Sequence, residues 1–444
     1  MNVDSIEYKI ALEVYKLGGK TYYVGGYVRD YLLGNKNDDV DIEVHGVRYD
    51  DLYNILNKIS KPFTVGSNFG IFTLRDYNID IALPRKEQNT GIGHKDFKVY
   101  TDPFIGEIVA AKRRDFTINS LMMNVLTDEI LDFFNGKQDL LNKTIRHIDD
   151  NSFIEDPLRV LRACQFASRF DFEIAPETIK LCSSMDITCL SKERVESELN
   201  KALLKSNKPS IFFTQLRKMN QLHYWFETLE KTIDLKQDKI FHPEGDVFTH
   251  SMMVLDEATK YRDKVSFPLG FMYLCLCHDF GKITKSFEKD GRIHAYGHDV
   301  YGNELIRPFL RKFMNNKKTI DYVLKMAPLH MMPNKYARDN SATKVTNDMF
   351  YRAVDPQDLI YFALCDHVLT ENDERLAFLN ERLDVYSKMI KKRYVTGDDL
   401  IKHGLKPDNN FSKILDYAHL LRMANVEYED ALKQVLAYAK KFKD

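Results

Sequence analysis

The chain has 444 residues, too many for one ordinary hydrophobic core, so two to four domains are expected. Lys and Arg total 64 against 65 Asp and Glu, a net charge of −1 that excludes a global basic field; any nucleic-acid surface must be a local patch. With 44% hydrophobic and 29% charged residues, no 18-residue apolar run and no basic-then-apolar start, the sequence argues against export and membrane spanning. Six cysteines (Cys164, Cys182, Cys189, Cys275, Cys277, Cys365) include no CxxC pair and read as buried thiols of a reducing cytoplasm.

Residues 4–18 have helical apolar spacing, stopped by Gly18-Gly19. Tyr22-Tyr23-Val24 ends a strand, Gly25-Gly26 breaks it, and Tyr27 to Leu33 reads as a short helix with Gly34 at its C′ position. A strand, a glycine pair and a helix start place backbone N–H groups where a phosphate can sit, and Arg29 supplies a charge-assisted donor. The run Asp38 to Val44 then alternates acid with apolar. Asp39, Asp41 and Glu43 share one strand face, while Val40, Ile42 and Val44 face a core. Adjacent carboxylates repel unless a cation sits between them, and an all-oxygen set suits Mg²⁺ completed by substrate phosphates. The plain alternative is a half-solvated edge strand with its acids outward.

Asp50 to Ile59 reads as a helix, and Phe63 to Gly66, Phe69 to Leu74 and Ile79 to Leu83 as strands. Asp80 is either a third carboxylate facing the Asp39–Asp41 pair or a surface aspartate on a meander. Pro84 to Thr101 reads as a loop. KRRDFTIN (112–119) precedes the apolar run LMMNVL, so it lines a buried element. Its arginines suit a triphosphate, and Asp115 or Asn119 suits ribose hydroxyls, with a salt-bridged surface helix start as the alternative. Thr144 to His147 reads as a last short strand. Ile154 to Phe170 reads as one amphipathic helix with Pro157 at N1 and Asp156 as N-cap, placing Arg159, Arg162, Gln165 and Arg169 on one side. Either these groups cap and face solvent, or a carboxylate and a guanidinium on a rigid helix meet the Watson–Crick edge of a base.

GGYVRD, DVDIE, RRDFTIN and EDPLRVLRA, in this order and spacing, resemble the class II tRNA nucleotidyltransferases, a family of CCA-, CC- and A-adding enzymes and bacterial poly(A) polymerases. The resemblance covers about residues 20–230. It implies that Asp39 and Asp41 hold Mg²⁺; Asp80, from the strand reading above, is expected beside them as a third catalytic carboxylate. It implies that Gly25, Gly26 and Arg29 meet the incoming triphosphate, that Arg114 binds nucleotide and that Asp115 sits by the ribose. Asp156 and Arg159 match the family's protein template for C or A, and Arg162 a further nucleotide position. Many members carry an arginine where this chain has Gln165, and a neutral amide cannot supply that charge. Residues 171–235 resemble the family's neck. There Lys201, Lys205, Lys208, Arg217 and Lys218 either follow an RNA backbone or form a solvated face.

HPEGDVFTH, CLCHDFGK, HAYGHDVYGNE, PLHMMP and LCDH follow from Phe241 onward. His250, His278, Asp279 and Asp366 give the spacing H…HD…D, with His294, His298 and His330 as a possible second set. This resembles the HD phosphohydrolase superfamily, which implies a divalent metal (Mg²⁺, Mn²⁺ or Ni²⁺) and phosphoester hydrolysis. Residues 370–444 read as amphipathic helices with a basic tail.

The expected fold is α+β, a small polymerase-beta-like sheet domain followed by all-helical neck and HD domains. The expected divisions are 1–147 head, 148–235 neck, 236–380 HD domain and 381–444 helical end. The implied reaction is template-independent addition of C and A from CTP and ATP to the tRNA 3′ end, with HD phosphodiesterase or phosphatase activity beside it, in the cytoplasm. The rival readings are an A-adding or poly(A) polymerase of the same family, or an HD phosphohydrolase with a degenerate head.

Overall fold

Alternating apolar residues in the first 150 positions build a mixed sheet. The computed structural model describes residues 4–35, 39–64, 70–89, 97–366 and 374–442, with only the backbone of 86–89 and 97–99. The chain divides into two compact units, Met1–Trp225 and Phe226–Asp444.

The first unit begins with helix α1 (Ile6–Lys16), whose N-cap Ser5 accepts from Tyr8 N–H. Strand β1 (Lys20–Val24), helix α2 (Gly26–Leu32), strand β2 (Val40–His45) and helix α3 (Tyr49–Asn57) follow. Next come β3 (Phe63–Thr64), β4 (Ile71–Leu74), β5 (Ile79–Ala82), β6 (Arg85–Asn89) and β7 (Phe97–Thr101). Helix α4 (Glu107–Lys112) precedes β8 (Met122–Asn124) and β9 (Ile130–Leu131). The main sheet runs β3-β4-β5-β2-β1-β8-β9; β2 and β5 are parallel and the remaining pairs antiparallel. One face packs Ile42, Val44, Phe72, Leu74, Ile79 and Ile81 against Ile10 and Val14 of α1 and Leu52, Ile55 and Leu56 of α3. Each such side chain contributes roughly 1.5–3 kcal/mol by leaving water, so β2 is held at fixed height and register. The segment read as a loop from Pro84 is instead an antiparallel hairpin, β6 on β7. Of the expected strands, 65–66 and 69, and of the expected loop, 90–96, lie outside the described residues.

Helices α5 (Gly136–Leu141), α6 (Asp150–Ile154), α7 (Leu158–Phe170), α8 (Pro176–Ser183), α9 (Lys192–Lys205) and α10 (Ser210–Lys218) complete the unit, α7 packing on α9 and α10. The single helix expected over Ile154–Phe170 is two. Proline disfavours α geometry at the residue before it and lacks an N–H, so the chain breaks at 155–157. Asp156 still serves the second start, accepting from Leu158 N–H at 3.1 Å. The last strand is shorter than expected, Thr144–Ile145, and pairs in parallel with Glu173–Ile174.

Among its described residues the second unit is helical apart from a two-stranded ribbon, Phe287–Lys289 on Arg292–His294. Helix Pro268–Cys277 is apolar on every side and buried from Gly270 onward, the pattern of a central core helix. It ends at His278-Asp279. Helices Gly397–Lys402, Phe411–Met423 and Tyr428–Ala439 share a cluster that includes Leu400, Ile414 and Val435. Five cysteines are buried free thiols, but Cys189, in a turn between α8 and α9, is exposed rather than buried as expected. Among the described residues no helix is long and apolar enough to cross a membrane.

Candidate functional site

Strand pairing brings the acids of the first unit together. Asp41 on β2 is the parallel register partner of Asp80 on β5, and Asp39 precedes β2. All three residues reach solvent. Thr73 Oγ1 donates to Asp80 at 2.7 Å, and Asn78 Nδ2 donates to Asp39 at 3.2 Å. Partial burial, then the Asp80 and Asp39 charges, raise the Asp41 pKa above the ordinary carboxylate range, with Arg114 opposing. Carboxylates facing one another from paired strands are what a hard divalent cation relieves, so the chemistry of this donor set suits Mg²⁺.

Glu43 shares that strand face but does not join the acids. It is 1% exposed and accepts from Arg114 Nη2 at 3.1 Å and pairs with Arg113 Nη2 at 3.5 Å, with His45 Nε2 at 3.0 Å. Burial alone would raise its pKa; His45 and the two guanidinium groups outweigh that and lower it to about 2. Arg114 in turn lies beside Gly25, whose φ is +64°. A Cβ there would meet Arg114 Nη1 at 3.2 Å. Glycine is therefore needed at 25 for backbone sign, and its bareness leaves the guanidinium room at the turn into α2.

Four of the other motif residues, Arg29, Asn119, Asp115 and Arg162, form one chain of polar contacts. Arg29 was expected to reach a phosphate, but it is 3% exposed. Its Nη2 pairs with Asp30 at 2.7 Å, its Nη1 donates to Asn119 Oδ1 at 2.7 Å, and it lies over the Phe170 ring at 4.5 Å. Asn119 donates to Asp115 at 2.9 Å, and Asp115 accepts from Arg162 Nε at 2.7 Å. Burial would raise Asp115, yet Arg162 and Asn119 hold its carboxyl below the ordinary range. Arg159 donates to the carbonyls of Ser152 and Arg113, at 2.7 and 2.8 Å. Asp156 meets Arg194 Nη2 at 2.9 Å with both oxygens, a partner that the sequence did not single out. Gln165, expected on the arginine side of α7, is buried at 1% exposure with no partner for its amide nitrogen. Lys201 and Lys208 pair with Glu198 and Asp171, at 2.7 and 2.9 Å.

In the second unit, His250, His278, Asp279, Asp366, His298 and His330 converge. Asp366 Oδ1 lies 2.9 Å from His250 Nε2 and 3.4 Å from His278 Nε2. Asp279 Oδ2 lies 3.4 Å from His278 Nε2, and its Oδ1 lies 3.2 Å from His298 Nε2 and 3.6 Å from His330 Nε2. Three of these rings point Nδ1 at a backbone carbonyl: His278 at Cys275, His298 at Ala295 and His330 at Ala327. A carbonyl only accepts, so Nδ1 carries the proton and Nε2 presents a lone pair. His250 Nδ1 faces Glu244 Oε1 at 2.7 Å to the same effect. His298 and His330 Nε2 stand 3.2 Å apart, and buried His278 Nε2 makes no hydrogen bond. Such lone pairs facing one another and two carboxylates fit divalent cations, and the nitrogen-oxygen mixture suits a transition metal. Without a cation, Asp279 and Asp366 hold a second proton on His278, lifting it to about 10 against the opposing effect of burial, so a metal taking that nitrogen displaces the proton. Burial and His278 push His330 down to about 3.

His294, expected with this second set, stands apart, stacked on Tyr296. The sequence reading missed Glu244 and Lys282, although both lie inside the quoted motifs, and Gln237. Lys282 Nζ donates to Asp279 and to Gln237 Oε1, each at 2.6 Å. A cavity of about 660 Å³ opens onto Asp279, His298, His330 and Asp366, with Arg292 and Arg338 in its wall. Gly281 explains the glycine of CHDFGK. A Cβ there would collide with the carbonyl of His298. Gly281→Ala is expected to cost about 1–3 kcal/mol and to weaken divalent-metal binding about tenfold or more by displacing His298; thermal melts and metal titration check both.

Residues 21–146 match the Poly A polymerase head domain family. The chain is 34% identical over 336 residues to the Multifunctional CCA protein of Actinobacillus pleuropneumoniae serotype 5b, covering 73% of this chain and 79% of that protein. It is 32% identical over 320 residues to the Multifunctional CCA protein of Paraburkholderia phymatum, covering 70% and 73%. In fold it is similar to the Thermotoga maritima CCA-adding enzyme complexed with tRNA (TM-score 0.66, 20% identity, 97% and 94% coverage). It is also similar to the Bacillus stearothermophilus CCA-adding enzyme in complex with CTP (TM-score 0.67, 18% identity, 98% and 97% coverage).

Proposed function

Because this chain belongs to the multifunctional CCA protein family, we infer that its first unit adds C and A to the tRNA 3′ end from CTP and ATP without a nucleic-acid template. The observation that carries the reading is the opposition of Asp41 and Asp80 across β2 and β5, with Asp39 beside them and Arg114 at the Gly25 turn. Mg²⁺ on these carboxylates supplies activation of the attacking 3′-hydroxyl and neutralisation of the leaving pyrophosphate. Arg114 supports the triphosphate, Asp156 and Arg159 meet the base edge, and the Asp115–Arg162 pair keeps α7 fixed while they do. Arg29 and Gln165 act from beneath, as packing that holds the turn and the helix. Positioning and electrostatics carry the rate, as in phosphoryl transfer generally. Six free thiols suit a reducing compartment, and the reaction is assigned to the cytoplasm.

The second unit is read as an HD phosphohydrolase. The convergence of four imidazole lone pairs on Asp279 and Asp366 supports a divalent-metal site, and a cavity with arginines in its wall suits a phosphoester.

The deciding experiment uses three tRNA transcripts, ending before CCA, after CC and after CCA, with CTP, ATP or both. Completion of the first to CCA is expected. Extension of the second alone would make this an A-adding enzyme. No extension of any transcript, with phosphodiesters still cleaved, would leave the head degenerate.

A further inference from the structure

We propose that Glu43 is a positioning residue for nucleotide binding, which clamps Arg114 so that its guanidinium is presented at the Gly25 turn to the triphosphate. The inference rests on the nucleotidyltransferase reading of the first unit.

Glu43 lies two residues beyond Asp41 on the same face of β2, so period-2 alternation alone would make it a third surface acid. The structure instead buries it under two arginines supplied from 70 residues downstream. A buried carboxylate is retained when its partners satisfy it, and here three do so: Arg114 and His45 by hydrogen bond and Arg113 by a looser ion pair at 3.5 Å. Arg114 spends Nη2 on Glu43, while Nη1 lies beside Gly25 and Nε has no hydrogen-bond partner. One edge of the guanidinium is thus anchored, and donor capacity remains at the glycine turn. An arginine pinned in this way loses less rotamer freedom on meeting a phosphate than one that swings in from solvent. Arg113 pairs with the same carboxylate at 3.5 Å, and its carbonyl accepts from Arg159 at 2.8 Å. The base-side and phosphate-side residues therefore share this one foundation.

The two routes from Glu43 make different predictions. Action through Arg114 affects the triphosphate, which CTP and ATP have in common, so both KM values rise together. Action through the Arg113 carbonyl and Arg159 affects the base, so the two nucleotides diverge.

The test is steady-state addition by wild type, Glu43→Gln, Glu43→Asp, Arg114→Ala and the double variant Glu43→Gln with Arg114→Ala, together with inhibition by inorganic tripolyphosphate. Glu43→Gln keeps the shape of the side chain and Glu43→Asp keeps its charge, so one of them retains the fold. Expected are KM values about tenfold higher for both nucleotides in Glu43→Gln, an intermediate rise in Glu43→Asp, and kcat within about threefold of wild type. Tripolyphosphate inhibition should weaken in parallel. The double variant should be no worse than Arg114→Ala, because the two residues act as one unit. Unchanged KM with a lowered melting temperature, additive losses in the double variant, or a rise confined to one nucleotide would each overturn the proposal. If wild type itself adds no nucleotide, the failure belongs to the reading of the first unit, not to Glu43.

Discussion

Replacing Asp39 and Asp41 together by Ala is expected to lower nucleotide addition by about 10³-fold or more, with folding intact. The magnitude follows from losing a metal clamp that stabilises transition-state charge by several kcal/mol, at about 1.4 kcal/mol per tenfold. Stability should move the other way. Both residues reach solvent, and Asp41 ionises reluctantly because of its partial burial and the nearby Asp80 and Asp39 charges. Without divalent metal, removing two of three mutually repelling carboxylates relieves strain, so the melting temperature of the variant in chelator should equal or exceed that of wild type. A primer-extension assay and a melt read the two effects separately. Lost activity accompanied by a large drop in melting temperature would count against a catalytic role.

The second large effect belongs to the other unit. His278→Ala with Asp279→Ala should abolish metal-dependent phosphoester hydrolysis, again by about 10³-fold or more, and should remove most divalent-metal binding. Asp279 faces His278 and Lys282 with one oxygen and His298 and His330 with the other, so its loss dismantles both halves of the cluster. It also strands the buried Lys282 ammonium, so some loss of stability accompanies the loss of binding. Nucleotide addition by the same variant should stay within about twofold of wild type. Calorimetric metal titration and paired assays of hydrolysis and extension check this; hydrolysis that survives would move the chemistry elsewhere in the cavity.

The candidate sites were more legible in the sequence than their surroundings. Asp39 and Asp41, Arg114 and the HD pair stand in short contiguous motifs, where chemistry is written next to itself. The role of Glu43 was hidden because its partners lie 70 positions away, and alternation cannot tell an acid that faces solvent from one roofed by arginines. Arg194 escaped for the same reason, 38 residues from Asp156. The break before α7 was legible in Pro157, whose effect on the preceding residue outweighs helical periodicity. The pairing of β6 with β7 was not, because β6 is polar throughout and offers no apolar alternation, and the pairing rests on backbone hydrogen bonds that any side chain permits. Arg29 and Gln165 were placed on the correct elements but facing ligand; packing under α7 turned both inward.

The ligand set around Asp279 reaches across the second unit, with 116 positions between His250 and Asp366. An ion held there is a cross-link between segments that meet only once the helices have packed. The unfolded chain offers it no comparable grip, so whatever free energy the ion contributes on binding becomes resistance to opening. Closing so long a loop costs only slightly more than closing a short one, because the penalty grows with the logarithm of length. Metal supply would then set the lifetime of this half of the chain as well as its chemistry. A cell short of the ion would lose this half of the chain to proteolysis before it lost the capacity to fold it.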